Sequence, residues 1–445
     1  MSVAPAHRRD GADDVPLFAI AYTAGALATA ALCVLAVKDP VTALLLFLSV
    51  AALIICIWRV EIALLVLVAV GPLEAAYRPG SGISLTKVAG VVAFLSFAFH
   101  ALLTRRRLVF DGTHILVLLL LAVSLISTVN AHDQSAAQST VVRYASFVAM
   151  FFVVSQFGDD HNLLRRIAWV LTLASAAASY FALANLFSGR SLLAGLPYAN
   201  ENDVAFTLAT ALPLALWLVR EPGVKRLVAL ASVATILSAI VLTFSRGAFV
   251  GLAAGALWKL FAERRNLGVV IVGGIVALAT VLVLVNVNAS QVHRASLAKQ
   301  KVAQENIQSR LDAWSGAARL TADHPLLGVG PGNFQAYFFR ATDRPSGSLL
   351  LTQVHNTYLD VASELGVIAL ILFVSFLAMS FSHAVKAEWM SLGPPGLASA
   401  LATALVVAAV SGSFISAQYS APFWLLGALT AAVWSQREPR PAPAT

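Results

Sequence analysis

Charge is scarce in this chain. Asp, Glu, Lys and Arg make up 12% of its 445 residues against 59% hydrophobic residues, and the mean hydropathy is +0.81. Such a composition excludes a soluble globular protein. Cysteine is nearly absent as well: Cys33 and Cys56 both lie in apolar runs, expected toward opposite membrane faces, so no disulfide joins them. Alternation of period two is missing, which leaves helices and excludes a transmembrane barrel. There is no G-x-x-x-x-G-K-[ST], so the GVGPG run at 328–332 reads as a turn and not a nucleotide loop. No H-E-x-x-H, no paired Cys/His spacing and no acidic pair at metal-binding spacing occurs, so neither a metal nor another cofactor is expected. Any chemistry at the outer face then needs a substrate that arrives already activated. The formal net charge of +8 has no basic face or aromatic-interleaved strand behind it, which argues against nucleic acid.

What the chain does contain is long apolar runs, each near the ~20 residues that cross a hydrocarbon core. The fold class expected is all-α, a polytopic helical membrane protein. Fourteen spans are read near 16–37, 41–57, 60–76, 84–103, 114–129, 140–156, 163–186, 203–219, 226–243, 246–263, 267–287, 355–380, 397–412 and 421–436. The first follows Arg8 and Arg9 but is too long and lacks the cleavage site of a signal peptide. With the N-terminus inside, sixteen basic residues fall on short cytoplasmic segments and six on short outer ones, so both termini are expected in the cytoplasm. The domain plan is a helix bundle over 1–287, an outer loop domain over 288–353, C-terminal spans over 354–436 and a cytoplasmic tail over 437–445.

The outer loop is expected to be folded. Residues 297–320 read as an amphipathic helix with Ile307, Leu311, Trp314 and Ala318 as its apolar stripe. Pro325 and GVGPGNF force a turn, and a short helix is expected over Phe334–Arg340. The loop then re-enters the membrane through QVHNTYLDVASELGV. Ionisable residues at the mouth of a span are costly to place and mark a candidate functional site.

Three basic residues stand out there. Arg246 opens the tenth span at its outer end with Ser245 as candidate N-cap, and a helix N-terminus with an arginine suits an anion such as phosphate. The bland alternative is an arginine snorkelling to the interface. Arg310 sits on the polar flank of the loop helix beside Trp314; a solvated charge or a pair with Asp312 or Glu305 is the alternative. His355, at the N-terminal end of a span, is disfavoured from taking a proton by the helix dipole and by neighbouring arginines. It would stay neutral near pH 7, as a general base must; the alternative is an interfacial histidine satisfied by a carbonyl. Tyr358, three residues on, is expected on the same face as His355, and Asp360 and Glu364 on another, with Glu364 tying the helix to a neighbour. Asn200, Glu201, Asn202 and Asp203 form a second outer cluster that binds sugar or caps the eighth span.

The stretches TFSRGAFVGL, RLDAWSGAARLTADHPLLGVGPGNF and HNTYLDVASELGV, in this order, resemble the O-antigen ligase/polymerase superfamily of bacterial membrane glycosyltransferases, and YANENDVAF resembles its asparagine-containing segment. The resemblance runs from about Leu196 to Leu370. It implies a GT-C-like architecture in the bacterial inner membrane and a metal-independent, inverting transfer of glycan at the periplasmic face. The donor would be a glycan on undecaprenyl pyrophosphate and the acceptor lipid A–core in lipopolysaccharide biosynthesis. By motif, Arg246 and Arg310 match the family's pyrophosphate-binding arginines and His355 its essential histidine. Asn200, Asn202 and Tyr358 are further candidate substrate contacts. Polymerase and protein O-oligosaccharyltransferase are sister activities. A lipid-linked glycan transporter is the competing class, but its polar residues would gather at the midplane in repeated halves, not at one face.

Overall fold

The computed structural model describes residues 53–76, 85–104, 108–188, 201–262, 309–341 and 353–437. The chain divides into two units, Met1–Arg59 and Val60–Thr445. Of the first, residues 53–58 form a helix; everything below belongs to the second. Its helices are α1 (Val60–Ala76), α2 (Leu85–Thr104), α3 (Gly112–Ser127), α4 (Gln134–Ser155), α5 (His161–Phe187), α6 (Glu201–Leu218), α7 (Val224–Thr243) and α8 (Arg246–Ala262). After them come α9 (309–323), α10 (Phe334–Ala341), α11 (Thr357–Trp389), α12 (Leu397–Ser411) and α13 (Ala421–Trp434). No strand occurs among the described residues.

The protein is an all-α polytopic membrane protein. Seven described helices are long and apolar enough to cross a membrane: Leu85–Thr104, Gly112–Asn130, Gln134–Ser155, His161–Asn185, Val224–Thr243, Thr357–Trp389 and Leu397–Phe414. Each of the seven falls on one of the fourteen expected spans. Helices α1, α6, α8 and α13 coincide with four more expected spans but are shorter or more polar than these seven. The expected spans 16–37 and 267–287 lie outside the described residues, as does most of 41–57. Two boundaries also move. Helix α4 starts at Gln134 because Asp133 caps it, accepting from Ala136 N at 3.0 Å. Helix α11 starts at Thr357 and runs to Trp389, ending on Lys386 in its last turn.

Small residues set how closely the spans approach. Gly247, Gly251 and Gly255 recur every four residues on α8, and a Cβ on them would meet Phe414, Ser411 and Val407 at 2.7, 1.9 and 2.6 Å. Helix α8 therefore lies backbone-close along α12, as small-residue stripes allow in membranes. This draws Arg246, at the head of α8, to the segment that follows α12. The core beneath is aromatic: Trp424 and Phe376 stack at 5.7 Å, and Tyr144 meets Tyr419 and Trp424 edge-on.

The loop helices pack on a core of their own, built from Ala313, Ala317, Leu320, Val329, Phe334, Phe338 and Val354. This corrects the expected stripe on α9. Leu311 is 49% exposed and Ala318 is exposed, while Ala313, Ala317 and Leu320 are buried; Ile307 lies outside the described residues. The inward face is shifted because the Phe338 ring lies on Gly316, so the small residues, not the large ones, face α10. Helix α10 forms over Phe334–Ala341, within a residue of the expected piece.

Candidate functional site

The loop meets the bundle at a break in α11. Gly366 has φ 88° and ψ 174°, a conformation that glycine reaches without a Cβ clash. The break frees backbone groups, and the 325–330 turn takes them. Val329 N donates to Ser363 O at 2.9 Å, Gly330 N to Glu364 O at 2.9 Å, and Val367 N to Pro325 O at 2.8 Å. Gly328 (φ 62°) approaches so closely that a Cβ would sit 2.3 Å from the carbonyl carbon of Glu364. From the other side Ser127 Oγ donates to Leu327 O and to Glu364 O, and Asn130 Nδ2 to Gly328 O at 3.1 Å. Asn333 pairs with the backbone of Asp133 in both directions. The turn is thus a wedge locked into a broken span, and Glu364 serves it further: its carboxylate accepts from Phe334 N at 3.3 Å and from the Tyr419 hydroxyl. It ties α11 to its neighbours, and its carboxylate's hydrogen-bond partners among the described residues do not include His355.

The candidate residues converge on a segment that sequence reasoning passed over, residues 412–418. His355 N donates to Ser416 Oγ at 3.0 Å. Thr357 Oγ1 donates to Ile415 O at 2.6 Å and accepts from Ala417 N at 3.0 Å. Arg310 Nη1 donates to Phe414 O at 3.4 Å, and Phe414 packs on Gly247, next to Arg246. Asp360 accepts from Gln418 Nε2. The only signal for this platform in the sequence is that SGSFISAQYS, small and polar, joins two apolar spans.

His355 does not lie on α11, which corrects the expectation that it shares a face with Tyr358. Asn356 is the N-cap, accepting from Tyr358 N at 3.0 Å and Leu359 N at 3.2 Å. His355 precedes it with φ 56°, in the left-handed region. Histidine tolerates that region better than most residues, but it costs of order 1–3 kcal/mol and persists where the surroundings impose it. Here Ser416 holds its N–H, and Trp314 Nε1 fixes the preceding residue through Val354 O at 3.0 Å. The imidazole is half-buried, and its Nδ1 is buried without a hydrogen-bond partner among the described residues.

Electrostatics link the three basic residues. Burial, and then the Arg310 charge, lowers the His355 pKa to about 4. Burial also lowers that of Arg310, with the Arg246 charge adding to it. His355 is therefore neutral at physiological pH, as expected, though desolvation is the first cause and not the helix dipole. Arg310 is half-buried at this junction rather than out on a polar flank; Arg246 is exposed. The Tyr358 hydroxyl donates to Ala409 O at 2.7 Å and so braces α11 on α12. Asn200 lies outside the described residues, while Glu201, Asn202 and Asp203 form the first turn of α6 itself. No group of three His, Cys, Asp or Glu side chains comes together as metal ligands among the described residues.

An all-helical membrane protein with two arginines and a neutral histidine gathered at one end of its bundle is the class that fold and site define. Residues 230–374, which include all three, match the family model described as O-antigen ligase. An O-antigen ligase of Pseudomonas aeruginosa is 29% identical over 177 residues, 40% of this chain and 39% of that protein. The chain thus matches about two fifths of the length of that curated relative.

Proposed function

We propose that the protein is a periplasm-facing glycosyltransferase that moves a glycan from undecaprenyl pyrophosphate to an acceptor hydroxyl, in the manner of O-antigen ligation to lipid A–core. The observation that carries this reading is a neutral, half-buried imidazole with an unpartnered Nδ1 beside the Arg310 guanidinium, which in turn feels the charge of Arg246. The acceptor oxygen attacks the anomeric carbon, and the new C–O bond forms as the bond to the phosphate oxygen breaks. The electron pair leaves with the pyrophosphate, whose charge Arg246 and Arg310 stabilise through paired N–H donors. His355 takes the acceptor proton. Single displacement inverts the anomeric centre.

The electrostatics are suited to this order of events. Without donor, burial keeps the imidazole unprotonated and poorly basic, and the arginine beside it adds to this. A bound pyrophosphate offsets that positive charge and raises the imidazole's affinity for a proton when the acceptor must lose one. The test is product analysis with a lipid-linked glycan and purified lipid A–core, comparing wild type with His355→Gln. Glutamine still donates and accepts hydrogen bonds but takes no proton at neutral pH, so near wild-type turnover rules out the base role. Orientation is tested separately, with single cysteines in the 288–353 loop and in the 104–112 connection, labelled by an impermeant maleimide in intact cells. Labelling of the connection and not of the loop inverts the proposed topology.

A further inference from the structure

At the end of the bundle opposite this site, the first turns of α5 and α7 enclose a cleft of about 430 Å³ that the reaction does not use. Its mouth carries Arg165, Arg166 and Lys225, and its wall is Trp169, Leu173 and Val228. Arg165 Nε lies 3.2 Å from Glu221 Oε1, and Arg166 Nη1 lies 3.4 Å from Glu61 Oε2. Lys225 has no ion-pair partner among the described residues. Three cations against two carboxylates leave one positive charge over an apolar floor. The N-cap of α7, Gly223, supplies no side-chain cap, so the first-turn N–H groups beside Lys225 add to the positive character of the mouth.

We propose that this cleft binds one anionic phospholipid, its phosphodiester at the Arg166–Lys225 mouth and an acyl chain along Leu173 and Val228. Both α5 and α7 are candidate membrane spans, so the wall continues into the hydrocarbon region, where Leu173 is 45% and Val228 39% exposed. A free phosphate would leave that wall unused. A basic recess between spans, with an aromatic ring at headgroup level, suits such a ligand. The inference stands apart from the proposed reaction, since none of these residues lies at the other end.

The experiment uses the full chain in detergent, titrated with phosphatidylglycerol and read by native mass spectrometry, with phosphatidylcholine and inorganic phosphate as parallel arms. Arg166→Gln with Lys225→Gln is expected to weaken phosphatidylglycerol binding about 30-fold and to leave phosphatidylcholine unchanged. Lys225→Gln alone, at an exposed position without an ion-pair partner, is expected to weaken it about five-fold, and it serves if the double variant does not fold. Wild-type phosphatidylglycerol binding by a folded variant overturns the site. So does equal weakening toward phosphatidylcholine, or full displacement of the lipid by inorganic phosphate.

Discussion

Two histidines, one at each end of the bundle, show how differently one residue type can be used. His114 sits in the first turn of α3 with both ring nitrogens engaged, Nδ1 2.8 Å from Asp111 Oδ1 and Nε2 2.9 Å from Ser155 Oγ. Phe110, Phe151 and Phe152 pack around it at 5.0–5.2 Å between ring centres. His355 has no carboxylate, an unpartnered buried Nδ1 and a guanidinium for a neighbour. A buried polar atom without a partner costs about 1–3 kcal/mol, and the left-handed backbone adds to that. The first histidine is spent on holding helices together; the second is held at a cost with a ring nitrogen left unengaged.

The largest effect that would break this contrast is on transfer itself. His355→Ala is expected to lower turnover by ~10²–10⁴-fold with donor binding retained, whereas His114→Ala should reduce the amount of folded protein and leave turnover per folded molecule near wild type. Equal turnover losses for the two in purified protein would erase the distinction. Next come the cations. Arg310→Ala and Arg246→Ala should each cost about 2–4 kcal/mol of transition-state stabilisation, roughly 30- to 1000-fold in rate. Lysine should restore only part of it, for want of the bidentate fork. Normal activity in folded Arg310→Ala protein would remove that residue from the site.

The pH profile sharpens the comparison further. Because burial depresses the His355 pKa to about 4, its neutral form is present throughout pH 5–8. The kcat/KM of the free enzyme should therefore be flat above pH 5 and fall as pH drops through about 4; a fall centred near the ordinary value of ~6.5 would sink the desolvation argument. The smallest effect belongs to the other end. Burial alone would raise the Asp111 pKa, but hydrogen bonds from His114 and Thr113 lower it to about 2. A carboxyl depressed in the folded state contributes stability above its unfolded value of 3.8 that is lost as pH falls through 2. Asp111→Ala should remove about 1 kcal/mol of cap stabilisation at neutral pH, measured by thermal unfolding, and should abolish that acid dependence.

How much of this was legible from residues alone differs by region. Apolar runs gave the helices, because a span must be continuous and long whatever it packs against. Phe334–Ala341 was legible from the turn chemistry ahead of it. The α9 stripe was not, since Leu311 and Trp314 carry the stronger apolar signal while close approach to α10 selects Ala313, Gly316 and Ala317. His355 and Arg246 were legible as rare charges at span mouths, and Arg310, on the loop helix, only through the motif resemblance. Their meeting ground over 412–418 was hidden, because it acts mainly through backbone carbonyls and N–H groups that no side-chain pattern encodes. The break at Gly366 was hidden likewise, within an apolar run that reads as unbroken helix.

That break has a bearing on how the protein opens. The 325–330 turn lies in the loop, yet its amides at Val329 and Gly330 are bonded to carbonyls of a membrane span, and the span's own Val367 is bonded back to Pro325. Helical hydrogen bonding is interrupted there, and the turn completes it. Loop and span therefore form one cooperative unit: neither can loosen without exposing unsatisfied backbone of the other. A ligand that displaces α9 would be felt inside α11, and Arg310 on the one and the residues following His355 on the other would shift as parts of a single body.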